Sequence, residues 1–295
     1  MTAVGIRRSP IGRRFSRYKM QLAASASVGA ALHRAIPPDA QNKRLTTLAR
    51  RISECAANTR LHLETPPGEP TKIIYRNRRR CRSGLCPPCA RKRARETVLR
   101  AARRLDDIIR AAPDTRFAFL TLTSCNMPIE EVARMLALHE GALTRFLRSG
   151  AVIRAFAGHI TGIEIAIRER DGVWQAGVHS HSLVALRDGY FDRANNIYLS
   201  QRAIVDLWKR ALRVDYKPVC YVNAIADTDA ARASLTECLK YAVAPHRLFE
   251  RSERGFSVDP RVAFCLAEAL YKKRMCRAGG VFAARRSPKD KGDGT

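Results

Sequence analysis

Residues 159–186 read HITGIEIAIRERDGVWQAGVHSHSLVAL, and their pattern decides the fold. Asp171-Gly172 is a two-residue turn signal, because the tight hairpin turn needs positive φ at positions that Asp and Gly tolerate. On either side, His159–Glu169 and Val173–Leu186 alternate in the period of strands with one face buried. With Asp171 and Gly172 as the loop, Arg170 pairs with Val173, and the same pairing carried back sets Glu164 opposite His179. Side chains two apart on a strand share a face. Glu164, His179 and His181 therefore project together, while Ile163, Ile165, Ile167 and Val178 turn to the other side and seal a core. Two imidazoles and a carboxylate form a donor set for a divalent cation with coordination positions left open. The mixed nitrogen and oxygen donors suit Mg2+ or Mn2+ and leave Zn2+ and other first-row ions admissible.

Outward from the hairpin the same layer continues. Phe117–Thr123 reads as a strand, Pro128–Leu147 as a helix, and Ser200–Leu212 as a helix that Ser200 caps. Val219–Ile225 reads as a strand, Ala230–Val243 as a helix stopped before Pro245, and Phe264–Arg274 as one more helix. This order predicts an α+β domain over residues 113–278, with an antiparallel sheet and helices on one face in a ferredoxin-like arrangement.

Upstream, residues 46–112 combine a cysteine cluster with a basic helix over Arg91–Ala112 that Pro113 ends. Cys81, Cys86 and Cys89 place three thiols on a knuckle-like segment suited to tetrahedral, structural Zn2+, with Cys55 or His62 available as the fourth ligand. Arg78, Arg79 and Arg80 precede the knuckle and Arg91, Lys92 and Arg93 follow it, a positive ring suited to the DNA backbone. Residues 1–45 lack a sustained apolar period and read as a flexible basic arm, and residues 279–295 as a polar tail.

Composition agrees with a nucleic-acid partner. The 295 residues carry 54 Lys and Arg against 27 acids, a formal charge of +27, and the first 100 residues alone hold 23 bases and 5 acids. Such an excess binds polyanions through phosphate contact and counterion release. No apolar run is long enough to span a membrane. Nine cysteines without a secretory leader point to a reducing, cytoplasmic setting and away from a disulfide scaffold. No Gly-x4-Gly-Lys-Ser/Thr phosphate loop occurs, so unwinding of a duplex falls to a separate host helicase.

The segment 236–245 reads TECLKYAVAP. Leu235, Cys238, Leu239, Ala242 and Val243 make an apolar stripe, and Glu237 and Tyr241, four apart, are neighbours on another face with Lys240 beside them. A tyrosine hydroxyl placed over a metal-bound phosphodiester can attack phosphorus, and a lysine there can steady the developing charge. Tyr216, Tyr221 and Tyr271 are rival tyrosines.

Together these residues resemble the HUH endonuclease superfamily, and within it the plasmid rolling-circle replication initiators of the Rep class. Phe119–Thr123 is similar to that family's first motif, His179–Val184 to its metal-binding second motif, and Glu237–Tyr241 to its third. The resemblance covers roughly residues 80–245. It implies that Tyr241 nicks origin DNA, becomes a 5′-phosphotyrosine and leaves a 3′-hydroxyl to prime synthesis. It implies too that Glu237 activates water to end the cycle, and that His179 and His181 hold the metal. The sequence departs from the family pattern at Ser180, where an apolar residue is usual, and at Gly177, where many relatives carry a further histidine. A related transposase, relaxase or phage replication protein would share the chemistry, and a non-catalytic zinc-dependent DNA-binding regulator would share the charge and the cysteines.

Overall fold

The computed structural model describes residues 10–37, 42–57, 59–77, 80–239, 250–252 and 255–283. Its centre is the hairpin of β5 (Phe156–Arg170) and β6 (Val173–Leu186). Asp171 and Gly172 take φ of 52° and 75°, so the turn is of the expected kind. Arg170 pairs with Val173 and Glu164 with His179, the register that the turn dictates.

The rest of the chain assembles around that hairpin. Helices α1 (Pro10–Ala35) and α2 (Lys43–Ala57) come first, then a small hairpin of β1 (Thr59–Glu64) and β2 (Lys72–Asn77), then α3 (Pro87–Ala111). After β3 (Phe117–Thr123) and the two-residue β4 (Met127–Pro128) come α4 (Val132–Leu147) and α5 (Gly150–Ala155). Beyond the central hairpin follow α6 (Gln201–Leu212), β7 (Cys220–Ala224), α7 (Thr228–Leu239), the short pair β8 (Glu250–Ser252) and β9 (Gly255–Ser257), α8 (Pro260–Ala269) and β10 (Cys276–Gly280). The main sheet is antiparallel in the order β10-β5-β6-β3-β7, and β4 also pairs with β6.

Strand alternation divides the core in two. Leu120, Leu122, Ile163, Ile165, Ile167, Val178 and Val184 face Leu136, Leu143 and Phe146 of α4, Trp208 of α6 and Leu266 of α8. That is the helical layer the sequence predicts. On the other face, Phe117, Ile160, Leu183 and Ala185 pack against Leu105 and Ile108 of α3 and Leu235, Cys238 and Leu239 of α7. Two helices thus cover one end of the second face as well. The remainder of that face bears Glu164, His179 and His181.

Local chemistry explains the element ends. Ser200 Oγ accepts from the Ala203 N–H at 3.2 Å and caps α6. Asp259 Oδ1 caps α8, accepting from the Arg261 and Val262 N–H groups at 2.7 and 3.3 Å, and Pro260 occupies its first turn. This Asp-Pro signal starts α8 four residues before the expected Phe264, and Ala269 ends it ahead of the expected Arg274.

One expectation needs correction. Residues 10–35, read as part of a flexible arm, form α1, which buries Val28, Ala31 and Leu32 in the main core. Its buried stripe consists mostly of small residues, Ala24, Ser25, Gly29 and Ala31, a weak apolar signal. It works because α2 comes very close, with a Cβ at Gly29 falling on Ser53 Oγ.

Candidate active site and cysteine cluster

The open part of the second sheet face is built from three strands. Glu164 stands on β5, His179 and His181 on β6, and Thr121 and Thr123 on β3, where they pair with His181 and His179. His181 Nε2 lies 3.6 Å from Glu164 Oε2, with the two side chains 21% and 22% exposed. That is dry enough to strengthen an electrostatic contact and open enough to admit a ligand. Thr121 Oγ1 is 3.1 Å from His181 Nδ1, and the Phe119 ring stacks on the imidazole at 5.8 Å between centroids. The threonine occupies Nδ1 and leaves Nε2 for a cation, the usual support for a ligating histidine.

His179 is turned along the strand, with Nε2 3.3 Å from where a Cβ at Gly177 would sit. The three donors are consequently more open than a closed metal shell. Their type, shared face and partial burial suit a cation such as Mg2+ or Mn2+, but as placed they do not converge within 4.8 Å as the four cysteines do, and a closed shell would require His179 to rotate about its side-chain torsions.

The C-terminal end of α7 meets the sheet at this face. Gly162 pairs with His181, and a Cβ at Gly162 would fall on the backbone carbonyl of Cys238. Only glycine lets the helix come this close beside the histidine. Leu235, Cys238 and Leu239 are buried against the sheet, and Glu237 is exposed. Lys240 and Tyr241 lie outside the described residues, as do Arg78 and Arg79.

The rival tyrosines have other settings. The Tyr216 hydroxyl accepts from the Cys125 N–H at 3.1 Å, and burial pushes its pKa up, which disfavours the phenolate. The Tyr271 ring lies under the Arg44 guanidinium at 4.3 Å. Tyr221 is exposed on β7 and pairs with Thr121, so it shares the face of His181 two strands away.

The cysteine cluster is compact. Sγ atoms of Cys55, Cys81, Cys86 and Cys89 all lie within 4.8 Å of one another. The separations are 3.7 Å for Cys55–Cys89 and Cys81–Cys89, and 3.8 Å for Cys86–Cys55. A tetrahedron with Zn–S bonds of about 2.3 Å has edges of about 3.8 Å. These distances therefore match a zinc shell and are far too long for disulfide bonds. Of the two candidates for the fourth position, Cys55 on α2 is the one brought in, and His62 is exposed on β1. A hydrogen bond from Cys81 holds the Cys89 thiol below its usual range, and one from Cys86 does the same for Cys55. The two donors are raised in turn, Cys86 chiefly by its hydrogen bond to Cys55, and Cys81 by its bond to Cys89 and by burial, which outweigh a lowering bond with Cys86. Two of the four thus favour the thiolate that a metal requires, and two hold their protons until a metal displaces them. Around the cluster, Arg80 is half-buried, Lys92 is exposed and 3.5 Å from Glu96, and Arg93 donates to the Arg82 carbonyl. Arg91 is partly exposed on the first turns of α3.

Sequence reasoning placed Thr121 in the first motif without giving it a role, and missed Gly162 and the loop that follows β3. No helix among the described residues is long and apolar enough to cross a membrane. A group of relatives shares much of this chain. Protein rep of Lactiplantibacillus plantarum is 31% identical over 194 residues, which cover 63% of this chain and 60% of the relative. Protein rep of Streptococcus pneumoniae serotype 2 (strain D39 / NCTC 7466) is 26% identical over 203 residues, covering 68% and 61%. A replication protein of Staphylococcus aureus is 26% identical over 180 residues, covering 59% and 74%. The chain spans about three fifths of the length of the first two. No solved structure matches it. The family model described as Replication protein matches residues 72–294, a span that takes in three of the four cysteines, the histidine strand and the helix that ends beside it. By that match the chain belongs to the replication protein family.

Proposed function

We propose that this protein starts rolling-circle replication of a plasmid as a metal-dependent DNA-nicking and strand-joining endonuclease with Tyr241 as its nucleophile. The observation that carries the reading is the meeting of Glu164, His179 and His181 with the end of α7 on one sheet face. Tyr241 follows Leu239 by two residues, a stretch of chain that spans at most about 7 Å. When bound, Mg2+ or Mn2+ polarises the scissile phosphate. The Tyr241 oxygen attacks phosphorus and the bond to the 3′-oxygen breaks. The 3′-oxygen leaves with a proton as a hydroxyl that primes synthesis, and the 5′-phosphate stays on the tyrosine. Lys240 steadies the charge in transit, and Glu237 activates the water that releases the chain at the end of the cycle.

The remaining features serve the same substrate. The four cysteines hold a structural zinc that orders the start of α3. Arg80, Arg91, Lys92 and Arg93, with Arg78 and Arg79, contact the phosphate backbone of the plasmid origin, double- and single-stranded, in the cytoplasm. A host helicase supplies unwinding.

The test is a nicking assay on supercoiled plasmid carrying the cognate origin, with Mn2+ or Mg2+ and a chelator control. Native protein is expected to nick only with metal and to remain attached at the 5′ end through Tyr241, while Tyr241→Phe binds the origin and leaves it intact. An adduct on Tyr221 would transfer the nucleophile to that residue. Binding with no nick under any metal would make the protein a DNA-binding regulator.

A further inference from the structure

Strand β6 receives two partners along one edge, β3 and then β4, and the register slips between them. Thr123 pairs with His179, whereas Met127 pairs with Ala176. Three residues, Ser124 to Asn126, thus stand opposite two, Gly177 and Val178. One extra residue is a bulge, and a bulge reverses the face taken by each side chain beyond it. Along β3 the odd-numbered residues share the face of His179, but past the bulge Asn126 does. Hydrogen bonds fix this path. The Ser124 N–H donates to the Val178 carbonyl at 3.0 Å, Ser124 Oγ meets His139 Nδ1 at 2.7 Å on the core side, and the Cys125 N–H is held by the Tyr216 hydroxyl.

Opposite the bulge stands Gly177, two residues before His179 and on the same face. A Cβ placed there would fall on Asn126 Oδ1 and lie 3.3 Å from His179 Nε2. The amide oxygen of Asn126 therefore fills the volume that a side chain at position 177 would take, on the side of the His179 ring that carries Nε2.

We propose that Asn126 Oδ1 is a further ligand of the divalent cation held by His179, His181 and Glu164, occupying the place on the sheet that Gly177 leaves open. The proposal rests on reading this face as a divalent metal centre. Mg2+ and Mn2+ favour oxygen donors and six-fold coordination. A neutral amide oxygen adds such a donor without adding charge, and it leaves two positions for water and a phosphate oxygen. The glycine and the bulge act as a pair, since either one alone would leave the asparagine off this face or blocked.

The experiment is a Mn2+ titration of the full-length, zinc-loaded protein, with free Mn2+ read by electron paramagnetic resonance and folding checked by thermal melting. Asn126 is exposed, so its variants test coordination and not core packing. Asn126→Ala is expected to weaken Mn2+ binding by about tenfold or more, and Asn126→Asp, which keeps an oxygen donor, to retain it. His181→Ala is the control and loses the ion. Native-like binding by Asn126→Ala beside loss in His181→Ala would overturn the proposal and leave the metal centre standing. Equal loss in the Ala and Asp variants, with unchanged melting, would also overturn it, because the amide would then act through its N–H groups. Undiminished binding by His181→Ala would remove the metal centre itself, and the proposal with it.

Discussion

Thr121 and His181 show how one side chain tunes another. The threonine hydroxyl at 3.1 Å from Nδ1 fixes the imidazole plane and tautomer, and Glu164 waits 3.6 Å from Nε2. Thr121→Val keeps the shape and the strand preference but deletes the hydroxyl. Its expected result is a roughly tenfold rise in the metal concentration needed for half-maximal nicking, with about 1 kcal/mol or less lost in stability. An unchanged metal dependence would leave Thr121 with packing alone. The two halves of this constellation differed in legibility. The Glu164–His179 pairing was readable because a two-residue turn joins the strands and propagates a single register. The Thr121–His181 pairing spans 60 residues, and no local signal sets the register between strands so far apart in the chain. Ser180, the departure from an apolar position, is fully buried, and its hydroxyl has no hydrogen-bond partner among the described residues, at a cost of roughly 1–3 kcal/mol.

Between elements, the decisive contact is the seat of α7 on β5. Cys238 presents its carbonyl to Gly162, one strand from His181, so the helix end and the histidines are placed by a single missing side chain. Gly162→Ala inserts a methyl group where that carbonyl lies, and the helix must lift. The expected cost is about 1–3 kcal/mol of stability, with nicking reduced far more than origin binding, because the arginines and lysine proposed to meet phosphate stand on and before α3. Parallel measurements of the nicking rate and of filter-retained DNA separate the two effects. Equal losses in both would show that Gly162 serves the fold and not the placement of α7. The helix and both strands were legible from period and turn chemistry. The glycine contact and the bulge before β4 were not, since backbone approach and register slips leave no hydrophobic pattern.

At the scale of the whole molecule, the N-terminal helices and the sheet form one body. Val28, Leu32, Leu45, Ile52 and Cys55 share the core that contains Leu136, Ile165 and Leu266, and Arg44 pairs with Glu268 across α2 and α8. Ser25 Oγ lies 3.4 Å from Cys86 Sγ, so α1, α2 and the start of α3 converge on the four thiols. The cysteine triad was visible as a spacing, and Cys55 only as one of two options, because the fourth thiol stands on a separate helix and no local spacing ties it to the other three. This convergence makes a sharp prediction for the zinc. Native protein is expected to carry one zinc per chain, and Cys55→Ala to lose most of it. With one thiol gone, the remaining three no longer close a tetrahedral shell, and α1 and α2 lose their tether to α3. Hydrogen exchange should then quicken across residues 10–57 while the strands of the main sheet, held by their own core and ladder, stay protected. The melting temperature should fall by several degrees, as expected of a loss of a few kcal/mol in a chain of this size. If Cys55→Ala kept its zinc and its exchange pattern, the cluster would be a packed thiol core, and the N-terminal helices would owe their place to the apolar contacts alone.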